Sequence, residues 1–551
     1  MRGSGFGLAA AVAAALLCGA AGGSAEELRF ARIFGDGMVL QRDRLLPVWG
    51  RADPGEKVRL TFAGQSVEVE ANGEGLWMAP FRPLAASAEG RELAVEGRDG
   101  RKVVLTNVVV GEVWVCAGQS NMDRIFAIDA GKDGFAAQTN TVATVDDPLI
   151  RFVKPEFFAS FRPLDDFDEY RHRDLAWRPM NTNTIFKSSS LPYYFAKELH
   201  TRLGVPVGLV QLAVSGTTGL AWLREDLAAE RLPRLLERAR KTGWEKMKEE
   251  GFESAEVWAS KEETWRVACA EAVAAGGKRL PEWPGHKPRL AVTNQRHVLY
   301  NALVRPCGPF AARGVIWHQG EGGPYEDYDV LLECLARQWR EQQGTNLCFL
   351  WGTLALDSLS PADAPRAPGF GPGVLRGSIQ GQILANGRIP NAAGLNFLDL
   401  GDGNLHWGAK DIAGLRMATA ALELCHGQTV RAWRSPQFES LATEDGKVRI
   451  RFRDAEGGLV WRTGDGQTAV AIAGEDGVFR WARTVVQGLE LLAWSDDVPR
   501  PVHVAYEWAP PHVLPLASRD GVLALPFYAR DGRPMALAEA DARRLAPRAE
   551  P

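Results

Sequence analysis

The residues whose types best suit chemistry are Ser120, in Gly118-Gln119-Ser120-Asn121-Met122, and His406, in Asp402-Gly-Asn404-Leu-His406. A serine hydroxyl is a poor nucleophile until a base takes its proton, and histidine is the side chain that titrates near neutral pH. Two further motifs lie between them, Ser215-Gly216-Thr217 and His318-Gln319-Gly320-Glu321. They add a glycine able to present a bare N–H, an amide side chain and a carboxylate. Acyl transfer needs such a set: nucleophile, general base, orienting acid and donors for an oxyanion. Ser120-x-x-Asp123 also fits a helix capping box, in which the hydroxyl only accepts a backbone N–H bond. Capping is the commoner outcome for those residues alone; the downstream motifs favour catalysis.

Each motif follows a short apolar run. Val113-Trp-Val-Cys-Ala117 precedes the first, Val207-Gly-Leu-Val-Gln-Leu212 the second, Gly314-Val-Ile-Trp317 the third and Leu395-Asn-Phe-Leu398 the fourth. Runs of this length predict strands buried on both faces, and Phe349-Leu-Trp351 adds another. Helical spacing aligns Phe195, Leu199 and Leu203 over 193–203, and Leu331, Leu335 and Trp339 over 328–343. It also turns Ile412, Leu415, Ala418 and Leu422 inward over 410–425. Alternating strands and helices predict a parallel sheet covered on both faces. Such sheets bind ligands at the carboxyl ends of their strands, so the motifs should share one rim. A helical insertion rich in Glu, Lys and Arg spans about 222–290; such charge usually marks a solvated face, and an insertion there can also wall a pocket.

Before this region, from about residue 28 to 110, Val58–Phe62 and Val67–Glu70 alternate with period two between Asp53-Pro-Gly55, Ala63-Gly64 and Asn72-Gly73 turns. They predict a small antiparallel β domain. From about Arg431 strands return, as in Val448–Phe452 and Val502–Tyr506, with turns at Asp465-Gly466, Glu475-Asp-Gly477 and Asp520-Gly521. This predicts a second β domain of sandwich type, followed by a charged, alanine-rich tail. Arg2, the apolar stretch Phe6–Leu17 and Gly23-Ser24-Ala25 read as a secretory signal over 1–25. The predicted order is therefore signal 1–25, N-terminal β domain 26–110, α/β domain 111–428 and C-terminal β domain 429–545.

The chain has 551 residues and a formal net charge of −4, which disfavours nucleic acid or an anionic membrane as partner. No later stretch is apolar enough to span a bilayer. Eighteen tryptophans suit sugar platforms, although most belong in cores. Besides Cys18, the cysteines are Cys116, Cys269, Cys307, Cys334, Cys348 and Cys425. Export would let some of them pair, but Cys116, Cys334 and Cys348 sit in apolar patterns as small hydrophobes. A proline interrupts the glycine-rich Gly369–Gly373 loop, and no motif calls for a cofactor or metal.

Several blocks together resemble the sialate O-acetylesterase family of the SGNH (GDSL-like) hydrolases. They are Phe34–Arg42, Gly111–Met122, Leu299–Pro306, Gly314–Glu321, Arg376 with Gln380, and Ile472–Gly477. The resemblance implies an SGNH-type α/β sandwich flanked by β domains. It implies that Ser120 attacks an acetyl carbonyl and His406 takes its proton. The N–H groups of Ser120 and Gly216 and the amide of Gln319 would bind the oxyanion, with Asn121 a further substrate contact. His318, His297 and His426 carry no motif role. The chain departs from the family pattern in places: Ser215 replaces the first of two glycines, and Trp407 replaces the proline after the histidine. Gly322-Gly323 stands where Ser-Asn often follows. Gly403 and Asn404 occupy the usual aspartate positions, so Glu321 is the favoured orienting acid, Asp402 the second and a bare Ser–His dyad the third. The implied activity is removal of O-acetyl groups from sialic acid or a related sugar by an exported, cofactor-free enzyme. A polysaccharide deacetylase and a carbohydrate-binding protein that lost turnover are the alternatives. Trp407 and Ser215 are expected to narrow the acyl pocket toward acetyl.

Overall fold

The computed structural model describes residues 28–252, 254–277, 279–286, 289–357, 377–463, 469–508 and 512–535. The expected signal with Cys18, the Gly369–Gly373 loop, Arg376, the Asp465-Gly466 turn and the tail from Ala536 lie outside the described residues.

The scaffold of the rim is one long strand, β1 (Lys102–Gly118). Its first half pairs antiparallel with Ser87–Glu96, and Val39–Gln41 joins it in parallel. Its second half is the centre of a sheet with β2 (Asp146–Val153), β3 (Arg178–Asn181), β4 (Val207–Gln211), β5 (Gly314–His318), β6 (Cys348–Gly352) and β7 (Ala392–Leu395). The order is β3-β2-β4-β1-β5-β6-β7, and only edge strand β3 runs antiparallel. The N-terminal strands and the parallel sheet are thus joined through a shared strand. Period-two alternation divides β1 between two cores. Val113, Val115 and Ala117 face one side, while Trp114 and Cys116 face the other.

Helices cover both faces. α1 (Ser190–Leu203) and α2 (Lys410–His426) cover the Trp114 side, and α3 (Tyr328–Gln343) packs its Leu331, Leu335 and Trp339 on the opposite side. α2 approaches α1 closely: a Cβ on Gly414 would lie 2.7 Å from the Phe195 backbone nitrogen. The burial stripe of α2 consequently passes through Lys410, Ala413, Met417 and Ala421, and Ile412, expected inside, is 43% exposed. The fourth apolar run is also displaced. Its strand is Ala392–Leu395, because Leu398–Leu400 closes into a 3-10 turn that bends the chain toward Asp402. The insertion forms helices Glu225–Arg231, Pro233–Glu249 and Ala255–Ala274. Most of its charges face solvent, but Glu262 is buried and pairs with Arg266 at 3.0 Å, and Trp258 and Trp265 reach the larger core.

After Arg431 the described residues form strands. A four-stranded antiparallel sheet (437–494) faces a five-stranded one (470–534) across Val448, Ile450, Phe452, Val504 and Phe527. The outer side of the five-stranded sheet packs Ala471, Ala505 and Tyr528 against Leu354, Ile379 and Leu398 of the α/β region. The six cysteines from Cys116 to Cys425 carry no disulfide. Among the described residues no helix is long and apolar enough to cross a membrane.

Candidate active site

Strand register brings three of the four motifs together. Gly118 at the end of β1 pairs with His318 at the end of β5, and Val214 beyond β4 donates its N–H to the Gly118 carbonyl at 3.0 Å. Gly118 has φ +135°, and a Cβ there would lie 2.1 Å from the His318 carbonyl oxygen. Only glycine permits this close approach at the turn before Ser120.

Ser120 opens a single helical turn, Ser120–Asp123, with Gln119 as its N-cap and no side-chain cap bond. The capping-box reading therefore does not hold. The Asp123 carboxylate instead receives Lys154 Nζ at 2.7 Å and both the N–H (3.0 Å) and hydroxyl (2.6 Å) of Ser215. Burial acts to raise the Asp123 pKa, but Lys154 and Ser215 outweigh it and hold the carboxyl below its ordinary 3.8. Ser215 thus has a structural task, tying the loop after β4 to the serine turn.

Asn121 is the hub of the rim. Its amide donates to Glu321 Oε1 at 2.8 Å and to the Leu405 carbonyl at 3.1 Å, and its Oδ1 accepts from Lys410 Nζ. Leu405 is the residue before His406. One side chain therefore links the serine turn, the glutamate and the histidine loop. It differs from the expected substrate contact, because its amide is already engaged.

Gln319 also differs from expectation. It is fully buried, and its Nε2 lies 3.0 Å from Gln119 Oε1, 2.9 Å from the Thr217 carbonyl and 2.7 Å from the Gly323 carbonyl. Its Oε1 accepts from the Tyr328 hydroxyl at 2.8 Å. An amide bound in this way knits three loops and has no donor left for an oxyanion. Gln119 Oε1 also accepts from Gly322 N–H at 3.1 Å, and a Cβ on Gly322 would meet the Thr217 carbonyl at 2.6 Å. The Gly322-Gly323 departure is thereby explained by close backbone packing. The N–H groups of Ser120 and Gly216 make no hydrogen bond among the described residues, which leaves both able to receive a ligand oxygen.

The His406 loop is built from side-chain-to-backbone bonds. Asp402 accepts the N–H groups of Asn404 (3.0 Å) and Gly408 (2.9 Å), and Asn404 Oδ1 accepts that of His406 (3.1 Å). Both Asp402 oxygens thus accept backbone N–H bonds that shape the loop, and the His406 ring makes no hydrogen bond to Ser120, Asp402 or Glu321 among the described residues. Glu321 keeps Oε2 buried and without a hydrogen-bond partner among the described residues. Burial, then the Arg124 and Lys410 cations, hold the His406 pKa below its ordinary 6.5, against Glu321 and Asp129. These contacts therefore favour the neutral form of the ring.

Trp407 is 2% exposed and packs edge-on to His318 and Phe397, while the Lys410 ammonium sits 3.4 Å from its ring centroid. It lies in the core, so the expected narrowing of the acyl pocket by Trp407 and Ser215 has no support in their contacts. His318 and His297 are buried, and His426 stands 3.7 Å from Glu112, where the parallel half of β1 begins.

Two features had little sequence signal. Lys410 is fully buried in the first turn of α2, and burial pushes its pKa well below 10.5 against the pull of Glu321. Its only hint was a spacing of one helical turn after His406. Arg124 holds buried Asp129 through Oδ1, and Asp129 Oδ2 has no partner among the described residues.

No family model matches the chain. It is 25% identical to the sialate O-acetylesterase of Mus musculus over 472 residues, 77% of this chain and 80% of that one. It is 24% identical to the Homo sapiens sialate O-acetylesterase over 446 residues, 75% and 74% of the two chains. Among solved structures, a carbohydrate acetylesterase from Xanthomonas citri superposes with a TM-score of 0.70 at 25% identity, covering 91% of this chain and 99% of that one. The likeness to sialate O-acetylesterases read from the motifs thus extends over three quarters of the chain.

Proposed function

We propose that this chain is a serine esterase that removes O-acetyl groups from a carbohydrate, on an SGNH-type α/β domain (111–428) between β domains at 26–110 and 429–545. The observation that carries the reading is the Asn121 side chain, which joins the Ser120 turn to Glu321 and to the residue before His406. Nucleophile, base and acid are then held at one set of strand ends, where open α/β sheets bind ligands.

In this mechanism Ser120 Oγ attacks the acetyl carbonyl carbon and His406 takes its proton. The tetrahedral oxyanion sits between the N–H groups of Ser120 and Gly216, preorganised donors that act where charge develops. His406 returns the proton to the sugar oxygen as the C–O bond breaks, leaving acetyl-Ser120. Water then attacks with His406 again as base, and acetate departs. Glu321 orients the imidazole and offsets its transient charge. Gln319, Asn121 and Asp402 hold the parts in place.

Sialic acid is the substrate named for the mammalian relatives, and an acetylated polysaccharide is the alternative that the bacterial carbohydrate acetylesterase supports. Export follows from the 1–25 signal pattern. The test is hydrolysis of 4-nitrophenyl acetate, O-acetylated N-acetylneuraminate and acetylated xylan by wild type and Ser120→Ala. Loss of several orders of magnitude in the variant is expected, since triad members act as a unit. Near-normal turnover in Ser120→Ala, or abolition by EDTA, would refute the serine mechanism. Absence of turnover in the wild type would favour the carbohydrate-binding reading.

A further inference from the structure

The outward side of α2 borders a cleft that the esterase chemistry does not use. It lies between α2, the 395–399 segment, the 431–435 linker and the 520–523 turn, with a volume of about 300 Å³. Its apolar wall includes Ile412, one of the few large aliphatics left exposed. Arg416 also lines it, but is tied to Asp399 by two bonds of 2.6 and 2.7 Å.

Arg431 and Arg462 are different. Both line the cleft, and neither guanidinium makes an ion pair or side-chain hydrogen bond among the described residues. Trp433 lines the cleft as well, fixed by its indole N–H to Glu423 at 2.8 Å and by the Arg434 guanidinium 4.3 Å from its ring. Both arginine side chains are exposed at the cleft, so their guanidinium forks are open to a ligand.

We propose that this cleft is a second carbohydrate site, which binds one glycosyl unit bearing a carboxylate. Arginine forks match carboxylates in geometry as well as charge, so Arg431 and Arg462 take the carboxylate. Trp433 with Ile412 supplies the apolar surface. Asp520, which also lines the cleft, accepts a sugar hydroxyl and disfavours a bare inorganic anion. The volume is at the small end of ligand cavities, roughly 300–1,000 Å³, which suits a single unit. The site would hold an acidic glycan on the C-terminal side of the domain while its ester is presented elsewhere. It does not depend on what Ser120 does.

The test is calorimetric titration of the full chain with D-glucuronate, its methyl ester, D-glucose and sulfate. The acid should bind on the order of tenfold or more tightly than the ester or glucose, the scale of a lost charge-assisted bond. The double variant Arg431→Gln/Arg462→Gln should lose that preference. Ser120→Ala should bind as the wild type does, and the double variant should hydrolyse 4-nitrophenyl acetate normally. Equal affinity for acid and ester, equal affinity for sulfate, no binding, or an unaffected double variant would each overturn the proposal. Failure of the esterase reading is recorded separately, by Ser120→Ala activity.

Discussion

Lys410→Met tests whether the buried network, rather than the motifs alone, sets the geometry of the site. The substitution keeps side-chain length and removes the ammonium that donates to Asn121 Oδ1 and lies over Trp407. A lost charge-assisted hydrogen bond costs about 1.5–3 kcal/mol, and a desolvated cation–π contact about 2 kcal/mol. Relief of the ammonium's desolvation returns several kcal/mol. These nearly cancel, so Tm should move by only a few degrees. Activity should not be spared. Asn121, 1% exposed, loses one of its three ties, and its bond to the Leu405 carbonyl fixes where His406 stands. A displacement of about 1 Å at a reacting group costs roughly a hundredfold, which is the expected fall in kcat/KM for 4-nitrophenyl acetate. The pH profile separates this from general damage. Lys410 is one of the cations that depress the His406 pKa, so its removal should shift the acid limb of kcat/KM toward higher pH. A variant with kcat/KM within about threefold of wild type and an unmoved acid limb would refute the reasoning.

Three other outcomes follow from the same contacts. Glu321→Gln should lower kcat on the order of ten-thousandfold with Tm almost unchanged, as for a lost triad carboxylate, whereas Asp402→Asn should chiefly lower Tm through the loop bonds to Asn404 and Gly408. The reverse pattern, read by turnover and thermal melts, would make Asp402 the orienting acid. Gln319→Ala should destabilise by roughly 3–7 kcal/mol in urea melts: it leaves the Thr217 carbonyl unsatisfied, at about 1–3 kcal/mol, and removes one bond of about 0.5–1.5 kcal/mol each from Gln119, Tyr328 and the Gly323 carbonyl, which keep other partners; a hundredfold loss of turnover at unchanged stability would return it to the oxyanion hole. The Asp123 pKa is lowered on folding, so its stabilisation is present above about pH 3.8 and is lost as pH falls through the depressed value; Ser215→Gly should shrink that acid-dependent loss in melts from pH 6 to 2.

The sequence carried the scaffold well where apolar periodicity was strong. The 328–343 helix and the strands before the first three motifs fall where the patterns put them. It misplaced the fourth strand because Leu395-Asn-Phe-Leu398 is apolar enough for a strand, yet its second half turns into the 3-10 bend that delivers the histidine loop. It put Ile412 inside because period alone cannot tell which stripe of an alanine-rich helix is in close contact with a neighbour. For the site, residue type identified the participants but not their partners. Glutamine and asparagine amides serve equally as oxyanion donors or as ties between loops, and only the positions of their acceptors distinguish the two uses. Lys410 was hidden for a related reason: a buried lysine is stabilised by long-range contacts that leave no local pattern.

The departures from the family pattern make sense as one rearrangement. Without an aspartate at the usual positions before His406, the loop is fixed by Asp402 and Asn404 through backbone N–H groups, and an orienting charge must come from elsewhere. In the proposed mechanism Glu321 brings one from just beyond β5, but a carboxylate facing the rim would also raise the His406 pKa and favour its protonated form. Burial acts against that, and Arg124 and Lys410 add to it, so the neutral imidazole is favoured at rest. In the proposed mechanism the serine proton moves to His406, and the new positive charge meets two carboxylates whose oxygens Glu321 Oε2 and Asp129 Oδ2 have no hydrogen-bond partner among the described residues. The cations keep the base free, and the carboxylates favour the charge that forms only during reaction. Electrostatic help confined to the transition state is the kind that raises kcat, and it accounts for a buried lysine beside a histidine that must accept a proton.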